Sequence, residues 1–161
     1  MEAIADATGV TKLILYRHFE SKEELYRAVV DRVSVRLVEE FAREAADGRG
    51  TGVAAHAFLA VAREDPDGFR LLWRHTAHEA DFAEYAERFR SLAIDFARAQ
   101  LSSRIDDPTV QTWGAETLVA FLADAVLAWL DLGQPEGDDE CAIRITRSML
   151  SMIEQWSVEL A

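Results

Sequence analysis

Cysteine is nearly missing from this chain. The single thiol, Cys141, rules out an intramolecular disulfide framework and cannot by itself build a thiolate metal site. Proline occurs three times in 161 residues, so little interrupts long helices. No run of about 18 apolar residues is present, and the N-terminus has no signal-peptide pattern; the expectation is a cytoplasmic protein with no membrane partner. Catalytic signatures are missing too. No Ser-His-Asp arrangement and no glycine-rich phosphate loop can be found, so no catalytic residue, no cofactor and no enzymatic activity is expected. Net positive charge is also lacking, since the chain carries −12. At first sight that disfavours a nucleic-acid partner.

What is present points to helices. Hydrophobic residues make up 50% of the chain and charged ones 29%, the balance of a globular protein with a real core. Ala, Leu, Glu and Arg are abundant and favour an all-α fold. The charge is unevenly spread. Residues 11–36 hold Lys12, Arg17, Lys22, Arg27, Arg32 and Arg36 against Glu20, Glu23, Glu24 and Asp31, a net of +2. The remainder is therefore strongly acidic at −14. Phosphate affinity follows the local footprint, so a mildly basic head on an acidic body remains compatible with DNA.

That head is the most specific stretch. Ile4, Ala5 and Ala7 line one side of a short helix, and Gly9 follows where a sharp turn needs a residue without Cβ. Thr11 can cap a second helix, which carries Leu15 and Phe19 four apart with Tyr16, Arg17 and His18 beside them. Ser21-Lys22-Glu23-Glu24 then reads as a capping box that opens a third helix. Helix, glycine turn and a helix bearing exposed cationic and aromatic groups form the pattern of a helix-turn-helix DNA reader.

Ile4-Ala5, Thr8-Gly9-Val10, Thr11, Tyr16-Arg17-His18-Phe19 and Lys22 resemble the DNA-binding segment of the TetR family of transcriptional repressors. The likeness covers about 30 residues; the rest is similar to the family only in length and helical character. The resemblance implies that Thr11, Tyr16 and Lys22 hold phosphates, which positions a protein without specifying sequence. Lys12, Arg17 and His18 are candidate base or phosphate contacts. Leu13 and Ile14 stand where the family has small or hydroxylated residues. Leu13 can meet a thymine methyl but reads no donor–acceptor pattern; the alternative is that both are buried.

In the family a further helix precedes this segment and packs on it. Here Met1 comes three residues before Ile4, so either Met1 is an internal methionine of a longer chain, the favoured case, or the chain is trimmed. Without that cover, each large apolar side chain left exposed forgoes about 1.5–3 kcal/mol. The expected head, residues 1–36, is thus truncated at its N-terminus, and residues 37–161 form a helical effector-binding and dimerisation domain. About eight helices are expected in all.

Beyond Ser21 a long helix is predicted to about Ala46, with Leu25, Val29, Val33, Leu37 and Phe41 every four residues and Asp47-Gly48-Arg49-Gly50 ending it. By resemblance it connects head and body and transmits ligand binding. Thr51 is a candidate cap for the next helix, and Asp65-Pro66 opens another. Further helices are predicted over about 81–103, from Asp107-Pro108 to Leu132, and over about 139–160. The segment from Trp113 to Leu132 is apolar nearly all round, so it must be buried on more than one side. Paired with the last helix it can form a two-fold homodimer interface, as in the family, with Phe121, Ala125, Trp129, Met149, Ile153 and Trp156 as candidates. A central helix in a monomer is the other reading.

Aromatic residues Phe58, Phe69, Trp73, Phe82, Phe89 and Trp113 are candidates to line a pocket for an apolar or aromatic effector, with ordinary core packing as the alternative. His75 and His78 have a spacing that can hold a metal, but no other ligand stands beside them, and no metal is expected. His56 has no assigned role. The sequence therefore leads to a homodimeric, ligand-responsive repressor of operator DNA, with a helical ligand-binding or dimerisation module without DNA binding as the alternative.

Overall fold

The computed structural model describes residues 17–46, 52–75 and 80–158, with the side chains of 75–86 left aside. Among the described residues there are six α-helices and no strand. They are α1 (Lys22–Ala46), α2 (Val53–Glu64), α3 (Pro66–Arg70), α4 (Ala80–Leu101), α5 (Pro108–Leu132) and α6 (Asp138–Trp156). A π-helical turn, Leu71–His75, continues α3, and a 3-10 turn, Pro135–Gly137, precedes α6. The fold is all-α, as expected. The two short helices predicted before Ser21 fall almost wholly outside the described residues, as do Asp47 to Thr51.

Helix starts follow local chemistry. Ser21 Oγ accepts from the Glu24 N–H at 3.1 Å, and the Glu24 carboxylate accepts from the Glu20 N–H at 2.5 Å. This is the predicted capping box, with the glutamate reaching one residue further back. Asp65 and Asp107 are N-caps directly before Pro66 and Pro108, and proline at the first helical position gives up an N–H that no partner would have met. For α2 the N-cap is Gly52 rather than Thr51, and no side chain caps it.

The core forms around α2, which contacts α1, α3, α5 and α6. Its Ala55, Ala57, Phe58, Leu59, Val61 and Ala62 are buried, and the alanines let neighbouring helices come close. In α1 the buried apolar residues are Tyr26, Val30, Val33 and Leu37, while Leu25 and Val29 are only half-buried. A strict four-residue period drifts around a helix of 3.6 residues per turn, so the true stripe mixes steps of three and four. A second, smaller cluster of Leu101, Ile105, Ala115 and Leu118 closes the far end between α4, α5 and α6. No helix among the described residues is long and apolar enough to cross a membrane.

Candidate functional site

Of the candidate DNA contacts, Thr11, Lys12, Leu13 and Tyr16 lie outside the described residues. Arg17 and His18 are exposed, and Lys22 is exposed at the first turn of α1. That helix then runs unbroken through residue 36 into the body, so anything held at its start is mechanically joined to what packs along it.

Four of the six candidate pocket residues converge. Phe58 on α2 and Phe69 on α3 meet edge to face with ring centroids 5.7 Å apart, and both are fully buried. Trp73 lies 5.4 Å from Phe58 and 6.3 Å from Phe69. Phe89 of α4 meets Trp73 edge to face at 5.9 Å. Phe41 of α1 extends the chain of rings from Phe58 at 6.1 Å to Phe96 at 6.3 Å. Such edge-to-face pairs contribute beyond their buried area. Trp73 lies in the π-helical turn that continues α3, a kind of winding frequent at functional sites. Trp73 brings one unusual feature: its indole Nε1 is buried and has no hydrogen-bond partner.

Trp113 does not join this group. It is 52% exposed and meets Trp156 edge to face at 4.8 Å, and Trp156 in turn packs against the smaller cluster. The Phe82 side chain lies outside the described residues, as do those of His75 and His78. Among the described residues no group of three or more His, Cys, Asp or Glu is placed to hold a metal.

The candidate interface residues occupy the flanks of α5 and α6. Phe121, Ala125, Trp129 and Met149 are partly buried against the main core, and Met149, Ile153 and Trp156 against the smaller one. The outward stripes hold Trp113, Glu116, Ala120, Asp124 and Ala128 on α5, with Ile143, Arg147 and Ser151 on α6. Trp129 is turned inward, its Nε1–H donating to Asp138 Oδ1 at 2.7 Å.

Sequence reasoning missed the polar ties, since nothing in a sequence pairs residues so far apart. Arg63 of α2 grips Asp138 with hydrogen bonds of 2.9, 2.9 and 3.3 Å and donates a further one, 3.2 Å, to the Gly133 carbonyl. That guanidinium, above all, holds the Asp138 carboxyl below the usual carboxylate range; burial opposes it and the Trp129 N–H assists. On the other side of α2, Arg36 of α1 donates to both oxygens of Glu64, while Arg32 meets Asp65 at 2.5 Å. Asp65 is thus both the cap of α3 and an anchor for α1. Arg70 and Arg74 reach Asp131 at the end of α5. His56, left without a role above, donates from Nδ1 to the Gly52 carbonyl at 3.0 Å and faces Asp139 at 3.7 Å.

Comparison with known proteins agrees with this architecture. Residues 1–29 match the family of bacterial regulatory proteins of the TetR type. The chain is 39% identical over 147 residues to the HTH-type transcriptional activator FasR of Mycolicibacterium smegmatis. That alignment covers 86% of this chain and 66% of FasR, so the chain spans slightly less than two thirds of the relative's length. The chain belongs to the TetR family. Because the alignment with FasR extends far beyond residue 29, the likeness includes the helical body and is not confined to the TetR head.

Proposed function

We propose that this TetR-family chain is a ligand-responsive transcriptional regulator that binds operator DNA as a homodimer. The observation that carries the reading is the family match over residues 1–29, continued by an unbroken α1 into a body with a convergent aromatic cluster. In this reading residues 1–36 form the DNA-binding head and residues 37–161 the effector and dimerisation body. Thr11, Tyr16 and Lys22 hold phosphates, and Lys12, Leu13, Arg17 and His18 lie at the bases or the backbone. Phe58, Phe69, Trp73 and Phe89 border the effector. The dimer forms through the outward stripes of α5 and α6, where Glu116 and Asp124 on one helix complement Arg147 on the other.

A conformational equilibrium supplies the mechanism. An effector that prefers the arrangement with wrongly spaced heads draws the population away from DNA. On control of transcription two readings stand. Repression is what the resemblance of the head implies, whereas the relative is called an activator.

The test titrates the chain against labelled duplex DNA from upstream of its own gene. Two chains per site and affinity that falls as salt rises are expected. Lys22→Ala should weaken binding to all sequences alike and lower the salt slope by about one. Absence of binding at low salt, both by the folded chain and by one extended through its upstream codons, would overturn the operator reading for that promoter. Transcription from the bound promoter in vitro, with and without the protein, separates repression from activation.

A further inference from the structure

A buried donor without an acceptor is costly, about 1–3 kcal/mol, and such groups are rare enough to need a reason. Trp73 Nε1 is one. The indole that carries it packs with the rings of Phe58, Phe69 and Phe89, and aromatic rings are weak acceptors at best. The π-helical turn that carries it is a local departure from α-helical winding of a kind frequent at functional sites. A simple core position would be met by Phe or Leu, which fill the same space without stranding a donor.

The charges nearby define the missing acceptor. Arg70 and Arg74, on either side of Trp73 in the chain, are drawn to Asp131 and, for Arg70, to Asp67. Along the described part of α4, Glu87, Arg88 and Arg90 are exposed. The buried charged residues among the described ones are carboxylates, Glu40 and Glu44 on α1. Among the described residues an anionic ligand head would therefore find no buried cation to offset its desolvation. A neutral oxygen needs only the indole N–H.

Building on the effector-site reading above, we propose that Trp73 Nε1–H is the orienting donor of that site. Its ligand class is an apolar molecule carrying one uncharged hydrogen-bond acceptor, a carbonyl oxygen of ketone, ester or amide type. The rings supply contact area and the indole N–H fixes which end of the ligand enters.

The experiment uses three probes of nearly equal shape: acetylnaphthalene, its isostere ethylnaphthalene, and the anion naphthoate. Each is titrated into the full chain labelled with nitrogen-15 at the tryptophan indoles, and into Trp73→Phe. The resonance lost in the variant identifies Trp73. Acetylnaphthalene should move the Trp73 N–H proton downfield, and ethylnaphthalene should move it far less. Trp73→Phe should lower acetylnaphthalene affinity about 2- to 10-fold more than it lowers ethylnaphthalene affinity, the worth of one net hydrogen bond, because both probes lose the same ring contact. Naphthoate should bind most weakly. Equal affinity of the ketone for both chains, without the downfield shift, would overturn the donor role while leaving an apolar pocket intact. Tightest binding by naphthoate would overturn the neutral-acceptor class. Failure of all three probes to bind the folded chain would sink both this proposal and the ligand-binding half of the functional reading, with operator binding tested separately by the DNA titration. Should Trp73→Phe not fold, Trp113→Phe, Trp129→Phe and Trp156→Phe assign the other three indoles, and the shift of the remaining resonance in the wild-type chain decides.

Discussion

Helix α2 is held on two sides by arginine–carboxylate pairs, and the two sides are built differently. Toward α5 and α6, Arg63 and Asp138 are about three-quarters buried, with side chains 24% and 22% exposed. Asp138 also accepts from Trp129, and Arg63 also donates to Gly133. Toward α1, Arg32 is 64% exposed against Asp65 at 26%, and Arg36 36% against Glu64 at 54%, so each pair keeps one member well into water. The chemistry is the same, but the dielectric is not. Exposed pairs gain little over their hydrated, separated states, whereas removing one member of a shielded pair strands the other. The corner at Asp138 is thus a fixed reference, and the α1 seam, although its apolar stripe is buried, is polar-tied only loosely.

Removing the centre of the corner should have the largest effect. Asp138→Ala leaves the largely buried Arg63 guanidinium and the Trp129 indole N–H without their carboxylate acceptor, and about 2–3 kcal/mol of stability should be lost, read as a lower urea midpoint. Gly133→Ala comes next. Its backbone is ordinary extended chain, but a Cβ there would run into the Trp129 indole, so overpacking should cost about 1–3 kcal/mol. If this variant were neutral, the corner would be softer than the comparison holds.

Acid sharpens the same contrast. Because Arg63 lowers the Asp138 carboxyl in the folded state, that contribution is fully present above the unfolded value near 3.9. It disappears as pH falls through the lower folded value. Urea midpoints measured from about pH 5 downward should therefore drop below about pH 4, and Asp138→Asn, which takes up no proton there, should flatten part of that drop. Glu40, lowered above all by Arg43, and Asp131, lowered above all by Arg70, contribute to the remainder. The smallest effect belongs to the seam. Glu64→Gln should leave the midpoint unchanged within error at physiological salt, and a clear loss would erase the distinction between the two sides.

The Asp65-Pro66 and Asp107-Pro108 helix starts and the Ser21 capping box were legible because each is a local bond between residues a few positions apart. The apolar character of α5 was legible for the same reason, as was the head's resemblance to its family. Grouping of the aromatics was not. Phe58, Phe69, Trp73 and Phe89 looked no different in the chain from Trp113, which the fold sends to the opposite cluster. Only the winding of the Leu71–His75 turn and the approach of α4 sort them.

Local chemistry alone thus determined helix class, most helix ends and the family of the head, since hydrogen-bonded caps and a 3.6-residue period act within one or two turns. Tertiary structure decided which rings meet, which arginine finds which carboxylate, and that the Trp73 donor is left without one. Those outcomes depend on contacts between residues as far apart as Arg63 and Asp138, and such contacts exist only once the helices have packed.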